Sequence, residues 1–301
     1  MYLNNEPVRD RLDFEVLRER MDTLLAATTN KIEREWPPSL NVPFGREFFH
    51  GTMEVAINTY KTVRWICADK PKDLSRRVEY SLSVPPLNRT ILDSLFNVVF
   101  MLEDLSSRCS WFCKSGWREE KERLNRYQAQ YSGLPDWKKW LDMYVTQIEM
   151  GKKLFGITPQ EEATPSIIKF WPNPGKMPRY GISGADPLPI AREFLAYMND
   201  WFYRDLSAQS HLSLPGLTMR AAGLIKLARK DEDVEEALSK VKSDQVSTTL
   251  TLLLALVSEI DSYFNFGLAE RAIYLWTVIN AYSLATREVY YKRYNQLLSS
   301  G

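Results

Sequence analysis

Arg204 and His211 stand seven positions apart in the run Tyr203-Arg204-Asp205-Leu206-Ser207-Ala208-Gln209-Ser210-His211. On a continuous helix that is nearly two turns, which brings both side chains to one face about 10.5 Å apart along the axis. If Arg204 instead sits in a turn just before the helix, the two come closer. A histidine titrates near neutral pH and can move a proton. A planar, always-charged arginine can stabilise the extra charge on a phosphorane-like transition state. The reaction that fits such a pair is cleavage of an RNA strand by the adjacent 2′-hydroxyl, with no metal and no other cofactor. The structural reading beside it is a histidine hydrogen-bonded within a helix junction.

Few other constellations survive. His50 and His211 are the only histidines, so a three-histidine zinc site is impossible, and HExxH, GxSxG, a P-loop and GxGxxG are all absent. Paired ExxH motifs for a di-iron bundle are missing too. Cys67, Cys109 and Cys113 form no CxxC pair. Cys109 and Cys113 would share a helix face but lack two further ligands for zinc, so free thiols in a reducing compartment are expected. Arg89, Asp93 and Asn97 recur at four-residue intervals within an otherwise apolar helix. A polar stripe there is costly unless its members are paired. It either satisfies itself, with an Arg89–Asp93 ion pair and Asn97 bound to backbone, or faces Arg204 and His211 and orients them. His50, Glu54 and Asn58 repeat the spacing, and there a self-satisfying His50–Glu54 pair is expected. Between Trp111 and Tyr131, five cations interleave with aromatics, but Glu119, Glu120 and Glu122 dilute them, which favours a solvated helix face over nucleic-acid binding. Tyr290, Tyr291, Lys292, Arg293 and Tyr294 suit a partner surface or dimer seam as well as a core.

The elements that must position these residues are helical throughout. Residues 12–35 carry an apolar stripe that Pro37-Pro38 ends, and a second helix spans about 46–68. A long apolar helix is predicted over 87–113, broken at Gly116 and followed by a charged helix over 117–131 and another over 134–151. Residues 156–189 hold seven of the chain's 16 prolines. They predict a long loop, functional or inserted, with a short strand conceivable at Ile167–Trp171. Such a loop could roof a small-molecule site. Helices resume over 189–203, 215–230, 233–241, 244–264 and 268–298. The fold class predicted is all-α: one helical bundle spanning 1–301 with a long proline-rich loop insertion, the loop being the place where a division into 1–155 and 190–301 would fall.

Composition narrows the partners. The 45% hydrophobic and 26% charged content is that of a folded globular chain. With 39 basic and 38 acidic residues no global field draws it to nucleic acid, so any RNA contact must come from a local patch. Leu250–Val257, the most apolar run, is far too short for a membrane span, and the charged N-terminus has no signal-peptide core, so a cytoplasmic protein that does not enter membranes is expected.

An arginine, a polar residue (here Asp205) and then a histidine, on a helix of an all-α chain, resembles the signature of the HEPN superfamily. Tyr203–His211, with the upstream Arg89-Thr90-Ile91-Leu92-Asp93, is also similar to the bacterial family of unknown function DUF5677. The likeness covers residues 85–215 loosely, and Asp205 replaces the usual asparagine, adding negative charge beside a phosphate site. The resemblance implies a helical bundle, often a homodimer, acting as a metal-independent endoribonuclease in bacterial defence or toxin–antitoxin systems. RNA would be the substrate, and an antitoxin or other protein the partner. Arg204 and His211 would be catalytic, with Arg89, Asp93, Asn97, Asp205 and Ser207 supporting them. The alternative is a non-catalytic interaction or sensing module in which the same Arg/His/Asp network fixes helix register.

Overall fold

A computed structural model of the chain describes residues 14–37, 40, 42–68, 82–184, 186–210, 218 and 233–298. The architecture is all-α, with no strand among the described residues. His211 and the helix expected over 215–230, apart from Thr218, lie outside them. Packing groups the chain into two compact units. One comprises Met1–Pro37, Phe49–Leu102 and Pro174–Gly301, and the other Pro38–Phe48 and Glu103–Asn173. The boundary therefore runs through the proline-rich segment, not around it.

The first unit contains α1 (Phe14–Arg34), most of α2 (Gly45–Ala68) and α3 (Val84–Leu102). After the proline-rich segment it continues with α7 (Ile190–Met198), α8 (Arg204–Ser210), α9 (Asp233–Phe264), α10 (Ala269–Asn280) and α11 (Leu284–Val289). On α2, Phe49, Met53, Ala56, Tyr60, Val63 and Cys67 recur at intervals of four and three and are all buried, one continuous stripe of a 3.6-residue period. Arg64 on this helix reaches both carboxylate oxygens of Asp22 on α1, at 2.9 and 2.8 Å. His50 pairs with Glu33 of α1 at 2.8 Å, a longer-range partner than the expected Glu54. The centre is α9, whose apolar run Leu252–Val257 is buried on every side, as a helix without a polar face must be. It packs on α3, and Asn88 fixes their register: its Nδ2 donates to Gln245 Oε1 (3.0 Å) and its Oδ1 accepts from Thr249 Oγ1 (2.6 Å). The helix expected over 268–298 is interrupted at Ser283, whose hydroxyl accepts from the Thr286 amide and caps α11.

The second unit is built on α4 (Leu105–Tyr131) and α5 (Pro135–Leu154). The break expected at Gly116 falls instead at Glu103-Asp104, where Asp104 takes the Ser107 amide as an N-cap. Gly116 lies inside α4, because a single glycine weakens a helix by only about 1 kcal/mol and the packing on either side exceeds that. Tyr131 stacks on Trp137 near the loop, and Trp117 Nε1 donates to the Ile148 carbonyl far from it, the signature of an antiparallel pair. Residues 156–173 belong to this unit and are not a free loop. They begin with α6 (Pro159–Ala163), opened by a Thr158/Glu161 capping box. Arg118 Nη1 donates to the Ile168 carbonyl (2.6 Å), Lys114 pairs with Glu161 (2.7 Å), and the Trp171 amide donates to Ser115 Oγ (2.7 Å). The expected strand at 167–171 is a single 3₁₀ turn, Pro165–Ile167, followed by irregular chain. Three of the five cations of the 111–131 segment are held by protein groups: Lys114 and Arg118 as above, and Arg123 by Glu120.

No helix of the described residues is long and apolar enough to cross a membrane.

Candidate functional site

The sequence-predicted residues that the structure describes all lie in the first unit. Helix α7 passes through a π turn, Asn199–Tyr203, into α8, the Arg204 amide bonding to the Asn199 carbonyl five residues back. Such insertions widen one turn and re-aim the side chains beyond it, and they are frequent at functional sites. Here the buried positions Leu195, Met198, Phe202 and Leu206 stay on one face while Trp201 and Arg204 project outward. Arg204 is 71% exposed and meets Asp200 at 3.2 Å, an ion pair in water that a stronger anion can displace. His211 comes directly after α8 but lies outside the described residues, so the Arg204–His211 pair is not itself seen. Ser207 is half-buried on α8, and Asp205 is exposed.

The stripe on α3 comes to the neighbouring residue. Arg89 Nε donates to Asp93 Oδ1 at 2.9 Å, and Asn97 Nδ2 donates to the Asp93 carbonyl at 2.8 Å. The guanidinium lies 3.4 Å from the centroid of the Tyr203 ring, a close cation–π stack. Phe96 flanks the same ring at 5.6 Å, and the glycine at 175 makes room for it, since a Cβ there would meet Tyr203 Cε1 at 3.2 Å. Arg89 thus holds the residue next to Arg204 without touching Arg204 itself. Its Nη1 is buried with no hydrogen-bond partner among the described residues. Burial outweighs the guanidinium at Asp93 and moves its carboxyl above the usual range.

Beside α8 opens a cleft of about 730 Å³, bordered by Tyr197, Trp201, Asp205, Gln209, Gln245 and Lys292. Trp201 is 67% exposed, and Lys292 Nζ sits 4.9 Å from the Tyr197 centroid. Burial, with Glu288 nearby, pushes the Tyr197 phenol up, so it stays protonated as a hydrogen-bond donor. Lys292 comes from a second π turn, Tyr290–Tyr294. Aromatic faces beside a cation are suited to stacked bases and phosphate. Of the sequence motif, Asp205 and Gln209 border this cleft, and its other walls lie outside the motif. Tyr197, Trp201, Asp205 and Gln209 recur at i, i+4 as its local trace, while Gln245 and Lys292 come from distant helices. The residues after Lys292 divide differently from the partner surface suggested for them: Arg293 and Tyr294 turn inward, where Arg293 Nη2 meets Glu259 Oε2 at 2.6 Å and Tyr294 donates to Glu259 Oε1 at 3.0 Å.

No group of three or more His, Cys, Asp or Glu side chains among the described residues is arranged to hold a metal, and the three cysteines are free. Compared with protein families, curated proteins and solved structures, the chain matches none.

Proposed function

We propose that this chain is a HEPN-like, metal-independent endoribonuclease of a bacterial defence or toxin–antitoxin type. It would act as a homodimer, with Arg204 and His211 at the reacting phosphate and the cleft beside α8 holding the RNA strand. The carrying observation is the exposure of Arg204 on a helix that borders a cleft with aromatic faces and Lys292 in its lining. In the reaction the 2′-oxygen attacks phosphorus and loses its proton to a base. The P–O5′ bond breaks, the 5′-oxygen takes up a proton, and the products are a 2′,3′-cyclic phosphate and a 5′-hydroxyl. His211 supplies one of the two proton transfers, and Arg204 exchanges Asp200 for the phosphorane-like oxygens. Arg89 and Asp93 act one step back, holding Tyr203 and therefore the start of α8.

A second reading is favoured by the way those polar groups bond to one another. Arg89 with Asp93, Asn97 with backbone and Arg204 with Asp200 already form a network that would fix helix register in a non-catalytic interaction or sensing module. Incubating the purified protein with mixed RNAs in EDTA, beside Arg204→Ala and His211→Ala, separates the two. Cleavage lost in both variants, with cyclic phosphate ends in the native reaction, supports the nuclease. RNA left intact at high protein concentration supports the module.

A further inference from the structure

The second unit holds a cavity of about 550 Å³, within the roughly 300–1,000 Å³ typical of small-molecule sites. We propose that it binds a small organic ammonium ion, a site independent of the one on the first unit. Its walls are rings: Phe44, Phe48, Phe112, Trp117, Tyr144 and Phe155. Its charged lining is Glu47, Glu119 and Glu120, with no lysine, arginine or histidine among the lining residues. Ring faces carry the negative end of a quadrupole and attract cations. The carboxylates act in the same direction, so an ammonium ion is drawn twice and an anion repelled twice. A neutral ligand would cover carboxylate without compensating it, which costs free energy.

Two of the carboxylates already touch other groups: Glu120 accepts from Tyr144 and pairs with Arg123, and Glu47 meets Arg46 at 3.4 Å. Glu119 has no ion pair among the described residues. The cavity is also kept open at a backbone cost. Phe44 adopts φ 61°, in the left-handed region that a bulky side chain rarely enters. The Cys109 thiol donates to the adjacent Pro43 carbonyl (3.2 Å), and the Phe44 ring meets Phe155 edge-on at 4.9 Å. Such outliers cluster at ligand clamps. Gly116 of α4 and Gly151 of α5 stand at the same wall. A Cβ on Gly116 would meet nothing within 4 Å, so this part of the wall is open.

Isothermal titration of the full chain with choline, and with its neutral isostere 3,3-dimethylbutan-1-ol, tests this. Choline should bind saturably with Kd below about 1 mM and the isostere at least about tenfold more weakly. Glu119→Gln, an exposed change that leaves the fold intact, should weaken choline several-fold and leave the isostere unmoved. Gly116→Phe should fill the cavity and abolish both. Equal affinity for choline and the isostere would overturn the proposal, marking the cavity as merely apolar. So would the absence of choline binding, or choline affinity indifferent to Glu119→Gln.

Discussion

The charges lining the second unit's cavity are arranged differently from the ion pairs of the first unit. In the first, charged side chains come as pairs of opposite sign, from the buried Glu259–Arg293 bridge through Arg89–Asp93 to the exposed Arg204–Asp200. Even its cleft sets Lys292 against Asp205 and Glu288. The second also pairs opposite charges, as in Lys114–Glu161 and Arg118–Glu122, but the aromatic lining of its cavity carries carboxylates and no cation. A net charge of +1 conceals both arrangements. Paired charges inside a bundle specify how helices align, because a helix shifted by one residue leaves a buried ion uncompensated. Charges of one sign around a cavity align nothing and instead favour one class of ligand.

The largest expected effect comes from making the same chemical change in each unit. Glu259 and Arg293 side chains are only 4% and 11% exposed, and the carboxylate, with desolvation opposing it, holds the Arg293 guanidinium above its ordinary range. Glu259→Gln leaves that guanidinium buried without its counter-ion and should cost about 3–5 kcal/mol in urea unfolding. Glu119→Gln, on an exposed residue, should change stability by no more than about 0.5 kcal/mol. If the two variants unfold alike, the contrast between register-setting and ligand-selecting charge fails.

Within the first unit, Arg89 and Arg204 sharpen the line between support and chemistry. Arg89→Ala removes a 3.4 Å stack on Tyr203 and the partner of Asp93, and should destabilise by about 1–3 kcal/mol. Arg204→Ala removes a solvent-exposed pair and should fall within about 0.5 kcal/mol of the native protein. Thermal melts of the two suffice. A strongly destabilised Arg204→Ala would place Arg204 in the network and take it out of the proposed reaction.

Legibility in the sequence tracks the range of each interaction. The α2 stripe and the i, i+4 spacing of Arg89, Asp93 and Asn97 are local, and helical geometry alone brings those residues to one face. His50 meets Glu33 seventeen positions away instead of Glu54, which no spacing rule anticipates. The π turns are invisible to hydrophobic periodicity, because they change which carbonyl an amide reaches without changing residue type. The cleft and the cavity join residues from separate helices, and only packing assembles them. Gly116 looks like a stop in the sequence because a glycine's cost is fixed, while the packing that offsets it is tertiary. That difference yields a modest test: Gly116→Ala should stabilise the chain by about 0.5–1 kcal/mol, since its Cβ meets nothing. A destabilised variant would mean that Gly116 is needed for packing.

The smallest effect bears on whether the α3 stripe is structural. Burial moves the Asp93 carboxyl above its ordinary value of 3.8 despite Arg89, so the folded chain holds that proton more tightly than the unfolded chain does. The resulting contribution to stability is fully present below pH 3.8 and is lost as pH rises through the raised value. Asp93→Asn should therefore flatten the stability–pH curve in that window and leave the two curves parallel below it, by a modest amount because solvent screens the partly exposed carboxylate. Urea titrations from acid to neutral pH measure this. A native protein that loses stability on acidification where the variant does not would mean that Arg89 outweighs burial. The proposed RNA cleavage would supply the second arm, since a rate set by proton transfer at a histidine would keep its pH profile whatever stands at position 93. If Asp93→Asn shifts the pH profile of cleavage, Asp93 acts on the reaction, and the stripe is more than a device for holding Tyr203 in place.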